Sequence, residues 1–293
     1  MPLCPRPTLI ALFAVALCLG ACREGLEEAP DQIDDPIQYF FTNFEDADDA
    51  GLEQALEQYA GFLEECEETE TDDGNERPEC DLEQGLSTTM ITDSDLTELI
   101  DLGKLVDYPT EEQWEQAVSI VVAQKMPMTV ETVEDVLMGT NQNEVFPQYE
   151  EYERTFLTNE DDYLAGTVPF LRTENDVVSN YVLDVTATYK LWLDFRQVEW
   201  DDGEQTRRVA IIRSWFDDEA VLSLDGATVG FTYSIEILIP YSDDTSQVWR
   251  TQALWAHADL PLDGDDHDFW ENQLRDGTID GFDQLQAWVD ENY

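Results

Sequence analysis

The chain has 293 residues, 42% of them apolar, enough for one large domain or two small ones with a sizeable core, and wholesale disorder is excluded. Asp and Glu total 67 against 14 Lys and Arg, a formal charge of -53. That balance excludes nucleic acid as an ordinary partner, because phosphate binding needs a basic face, and it excludes electrostatic docking on anionic lipid.

Residues 1–21 hold no acid at all. Arg6 supplies a positive start, and Thr8 to Leu19 form an apolar run too short to span a bilayer but suited to a secretory leader. The run ends in Leu19-Gly20-Ala21-Cys22. These residues resemble the lipobox of bacterial lipoprotein signal peptides. The resemblance implies removal of residues 1–21, diacylglycerol on the Cys22 sulfur, and usually a further acyl chain on the new amino terminus. Several acyl chains anchor stably where one does not. Arg23 follows Cys22, so the Asp that marks inner-membrane retention is missing. The expectation is an exported protein, lipid-anchored in the cell envelope at the outer membrane or tethered at the surface; the alternative is an ordinary cleaved leader with a Cys there by chance.

Residues 22–35 are polar and read as a tether. Residues 36–108 read as a helical segment. Leu52, Ala55, Leu56, Tyr59, Phe62 and Leu63 recur at intervals of three and four, the pattern of an amphipathic helix. A second helix starts at Asp93, carries Leu96, Leu99, Ile100 and Leu102, and ends at Gly103. Between them Cys66 and Cys80 bracket an acid-rich loop with an Asp73-Gly74 turn. With Cys4 and Cys18 lost in the leader and Cys22 acylated, this pair remains. In an oxidising compartment it forms a disulfide that stabilises by about 3 kcal/mol in the chain-entropy model. The rival, a zinc site, lacks a nearby His or further Cys.

Residues 109–293 read as an α+β unit. Ala117 to Lys125 is a strand, Thr129 to Met138 a short helix, and Phe146-Pro147 precedes Tyr149. Residues 159–180 are long and irregular. From Tyr181 to Phe195 apolar and polar residues alternate strictly, which predicts a long strand that bends or coils. Asp201-Asp202-Gly203 turns the chain into a strand over Arg207 to Phe216. Asp225-Gly226 turns it again into an alternating stretch from Val229 to Ile239, stopped by Pro240, and Val248 to Ala258 is a fourth strand. Hairpin connections make the sheet antiparallel. The C-terminus is helical, with Phe269, Trp270 and Leu274, then Ile279, Phe282, Leu285, Trp288 and Val289, and with Gly277 and Gly281 expected to break it in two.

This order is similar to the START-like superfamily of helix-grip lipid carriers and polyketide-cyclase-like proteins, over about residues 115–293. Pro127, Val130, Val133, Val136, Leu137, Phe146, Pro147 and Tyr149 carry the resemblance. It implies a curved sheet wrapped around the C-terminal helix, with an apolar cavity between them for a hydrophobic small molecule. The candidate lining residues are Tyr189, Leu191, Trp215, Phe231, Tyr233, Trp255, Phe282 and Trp288. The alternative is that all eight are solid core, in a scaffold lipoprotein whose N-terminal helices meet a partner.

No Gly-x-Ser-x-Gly elbow and no Gly-rich phosphate loop occur, so no catalytic residue is assigned. His257 reads as a strand residue beside Asp259. An enzyme of the cyclase kind would need a polar group such as His257 at the cavity floor. Asp263, Asp265, Asp266, His267 and Asp268 lack the spacing of a calcium loop and read as a solvated turn. The reading is a non-enzymatic binder with no metal or cofactor. The acids spread evenly along the chain, the pattern of a high-salt habitat, or else of a surface for a cationic partner.

Overall fold

The structure, a computed structural model, describes residues 34–45, 49–70, 83–85, 91, 93–101, 103–180, 185–201, 205–241, 244–259 and 267–293. The leader, Cys22, the tether to residue 33, Cys80 and the Asp263–Asp266 cluster lie outside them.

Three helices come first: α1 (Asp34–Thr42), α2 (Asp49–Glu70) and, after the short strand β1 (Glu83–Gly85), α3 (Asp93–Asp101). α1 buries Ile37, Phe40 and Phe41, and α2 buries Leu52, Ala55, Leu56, Tyr59, Phe62, Leu63 and Cys66, the three-and-four spacing of one helical face. Cys66 is a half-cystine. Gly103 closes α3 with φ +67°, its N–H reaching the Ile100 carbonyl while the Lys104 N–H reaches that of Leu99. This is the 6→1 and 5→2 bonding of a left-handed C-cap, which glycine adopts without strain.

α4 (Glu111–Gln116) opens on a reciprocal capping box between Thr110 and Gln113. Then follow β2 (Val118–Met126), α5 (Val130–Met138) with Thr129 as N-cap, α6 (Gln142–Val145), β3 (Tyr149–Phe156), α7 (Glu160–Leu164) and β4 (Phe170–Asn180). The long strand β5 (Thr186–Asp201), β6 (Thr206–Phe216), the short β7 (Ala220–Leu222), β8 (Thr228–Pro240) and β9 (Val248–Asp259) complete the sheet, and α8 (His267–Asn292) ends the chain. The fold is α+β, a curved antiparallel sheet with a C-terminal helix. Its order is β1-β2-β9-β8-β6-β5-β4-β3, with β7 bridging β5 and β8.

Three expectations are corrected. The alternation beginning at Tyr181 belongs to a strand that starts at Thr186 and runs on to Asp201; residues 181–184 lie outside the described part. The irregular stretch 159–180 holds α7 and β4. β4 alternates in burial but not in hydropathy, because its inward residues include Thr173, Asn175 and Ser179, all buried. α8 is one helix, not two pieces. Gly277 and Gly281 each weaken it by about 1 kcal/mol, and burial of Phe282, Leu285 and Val289 outweighs that.

Helices cover both faces of the sheet. α5, α6 and α8 pack on the inner face with Ile120, Val122, Phe195, Ile212 and Leu238. α1, α2 and α3 pack on the outer face with Val121, Trp215, Tyr233, Ile235 and Trp255. The N-terminal helices and the sheet therefore share one apolar core.

Candidate functional site

Between α8 and the inner face lies a cavity of about 570 Å³, open to solvent on one side. This is within the size range of small-molecule pockets, roughly 300–1,000 Å³. Successive side chains of a strand point to opposite faces, so one parity of each strand reaches it. β5 contributes Leu191, Leu193 and Phe195, β6 Ile212 and Ser214, β8 Ser234 and Glu236, and β9 Arg250, Gln252 and Leu254. The cross-strand register aligns these in rows: Leu193 faces Ser214, which faces Ser234, which faces Leu254. Leu137 of α5, Phe146, and Leu274 of α8 add apolar wall.

The floor is polar. Ser214 and Ser234 hydroxyls share a hydrogen bond of 2.7 Å. Arg250 is 3% exposed and grips Glu236 through two donors, Nε at 2.8 Å and Nη2 at 3.3 Å. Its guanidinium lies 4.2 Å from the Phe282 ring centroid. Its remaining nitrogen, Nη1, is buried and has no hydrogen-bond partner among the described residues. The Oε1 atoms of Gln148 and Gln284, two further lining residues, are also buried and without a partner among the described residues.

A second polar patch forms the wall under β3. Asn175 Oδ1 accepts from Tyr152 Oη and from Arg154 Nε, each at 2.8 Å. Arg154 Nη1 donates to the Leu137 carbonyl at 2.7 Å, and Nη2 to Tyr152 Oη. Burial pushes the Tyr149 and Tyr152 phenols above their ordinary pKa, so both line the cavity as neutral groups. Among the described residues no group of three or more His, Cys, Asp or Glu is placed to hold a metal ion.

Of the eight residues expected at the cavity, Tyr189 and Leu191 line it. Phe282 is buried beneath Arg250, and Trp288 packs further along α8 in the inner core; neither is a lining residue. Trp215, Phe231, Tyr233 and Trp255 point to the outer face. There Trp215 stacks on Trp192 (6.1 Å), Tyr233 and Trp255 meet Phe41 of α1 edge-on (6.2 and 5.9 Å), and Phe231 meets Trp114 of α4 (4.7 Å). The physical reason is the second helical layer. With both faces covered, size and apolarity no longer reveal which parity points inward. His257 also lies on the outer face, paired with Phe231 across the strands and stacked on it, so it is not at the cavity floor.

Sequence reasoning missed Glu236 and Arg250. The signal was present: Glu236 is the one charged residue of β8, set between Ile235 and Ile237 in an otherwise apolar run. A lone acid there needs a buried partner, and Arg250 occupies the facing strand.

No family profile and no curated protein matches the sequence. Among solved structures the chain is similar to a START superfamily protein from Mycobacterium smegmatis, at 9% identity and TM-score 0.39, over 60% of this chain and 99% of that one. It is similar to a STAR-related lipid transfer protein from Xanthomonas axonopodis, at 13% identity and TM-score 0.38, over 62% and 96%. A third is the Zhui aromatase/cyclase from Streptomyces sp. R1128, at 10% identity and TM-score 0.37, over 59% and 94%.

Proposed function

We propose that this chain is an exported lipoprotein, held in the cell envelope by acyl chains on Cys22, whose body binds a small amphiphilic molecule in the cavity under α8. The observation that carries the reading is the buried Arg250, its Nη1 without a partner among the described residues, in the lining of a chamber with one apolar and one polar wall. A buried donor without an acceptor costs about 1–3 kcal/mol. A ligand with an acceptor or an anion at one end recovers that cost, and its apolar body covers Leu191, Leu193, Phe195 and Leu254. The chamber is thus suited to an amphiphile rather than to a pure hydrocarbon. In this reading the protein carries its ligand without altering it, and Cys66 pairs with Cys80 as a structural staple.

The test uses the Cys22→Ser chain, which carries no thioether lipid. Solvent extraction and mass spectrometry are expected to release one small amphiphile per chain, and the emptied protein is expected to bind 8-anilinonaphthalene-1-sulfonate saturably at one per chain. Protein that yields no ligand and shows no saturable binding overturns the reading. Anchoring is checked separately: Cys22→Ser is expected to move the protein out of the membrane fraction, and an unchanged distribution removes the lipid.

A further inference from the structure

Two glycines stand one helical turn apart on the cavity side of α8. Gly277 and Gly281 both line the chamber. Gly277 is exposed, as are its lining neighbours Asp276 and Asp280, so it sits on the rim; Gly281 is half-buried and lies further in. Beyond the chain neighbours and the local helix backbone, no heavy atom of the described residues comes within 4 Å of where a Cβ would stand on either residue. Gly230 is the contrast: a Cβ there would meet Gln113 Nε2 and His257 Nδ1, both at 2.6 Å. Packing requires the glycine at 230, but among the described residues no side chain occupies the space beside 277 or 281.

Glycine is among the poorest helix formers, so two of them in the interior of a 26-residue helix weaken it. The adjoining face of the same helix carries Phe282, Leu285 and Val289, all buried, and holds it to the sheet. The missing side chains widen the chamber at its rim, at Gly277, and further in, at Gly281. Below them the buried, unpartnered Arg250 Nη1 marks the chamber as a place for a bound molecule.

We infer that Gly277 and Gly281 are the residues that set which ligands the chamber admits, Gly277 by keeping the mouth wide and Gly281 by leaving headroom for the ligand body. This rests on the binding reading above and assigns its size selectivity to two positions that carry no side chain. The ligand class that follows is an amphiphile bulky enough to need that space, ringed or branched rather than a single thin chain.

The experiment substitutes each glycine and follows 8-anilinonaphthalene-1-sulfonate by equilibrium titration and stopped flow. Gly281→Leu is expected to weaken probe binding at least tenfold, and Gly277→Leu to slow association at least tenfold. Gly277→Ala and Gly281→Ala should show smaller effects in the same direction and melt no lower than the parent, since alanine favours the helix. Met replaces Leu at either site where the Leu variant does not fold. Variants with parental circular dichroism, affinity and association rate overturn the inference and leave the cavity reading standing. Weakened binding that always comes with a lower melting temperature also overturns it, since the glycines would then be structural. A parent chain that binds no probe overturns both readings.

Discussion

Single side chains in this protein are placed by what they bond, and two of them make separable predictions. Arg250 and Glu236 form a buried pair, so removing one partner strands the other charge and costs about 3–5 kcal/mol. The double substitution Arg250→Gln with Glu236→Gln keeps a hydrogen-bonding amide at each position and strands no charge. It is expected to fold with parental circular dichroism and to bind anionic amphiphiles at least tenfold more weakly; equal affinity by calorimetry would remove Arg250 from the ligand. His257 is governed by burial, which lowers its pKa below the ordinary 6.5 against the weaker pull of Asp259, Glu219 and Glu112. The unfolded chain therefore takes up a proton first as pH falls. The stability His257 contributes is complete above about pH 6.5 and is lost as pH falls from there through the lowered native value. Melting temperatures from pH 7.5 to 5 should fall further for the parent than for His257→Gln, and parallel curves would contradict this.

At the scale of elements, the outer layer is fastened to the sheet by charge as well as by aromatic packing. Arg172 makes two hydrogen bonds to Asp194, Nε and Nη2 each at 2.6 Å. Arg213 Nη2 reaches both Asp194 (3.2 Å) and Glu45 (3.1 Å), and Arg172 also bonds Glu45 just beyond α1. Glu45→Gln takes a carboxylate away from the buried Arg213 and the partly buried Arg172. The expected loss is about 3 kcal/mol, read as a lower urea midpoint; an unchanged midpoint would show that the aromatic contacts alone hold the layer. How much of these elements the sequence disclosed follows from their chemistry. β6, β8, β9 and α2 announced themselves because one face of each is apolar at a regular period. β4 did not, since Asn175 and Thr173 are buried through hydrogen bonds, Asn175 Nδ2 to the Leu191 carbonyl at 2.7 Å among them. Within the site, Tyr189 and Leu191 were legible, whereas Trp215, Tyr233 and Trp255 were read onto the inner face because no local signal says that a second layer covers the outer one. Glu236 and Arg250 were hidden because their pairing spans two strands.

For the molecule as a whole, a formal charge of -53 is a standing self-repulsion that counter-ions relieve. Melting temperature is expected to rise from low salt to molar NaCl, and a flat or falling trend would favour a cationic partner as the reason for the acidity. The two covers on the sheet also divide its eight indoles unequally. Trp192, Trp200, Trp215, Trp249 and Trp255 belong to the outer core and Trp114 packs against it, whereas Trp288 packs on the inner core and Trp270 stands at the chamber wall. Emission from most of these chromophores is therefore blind to cargo, and loading would register at Trp270, an in-built optical gauge that a lone Trp270→Phe change should silence.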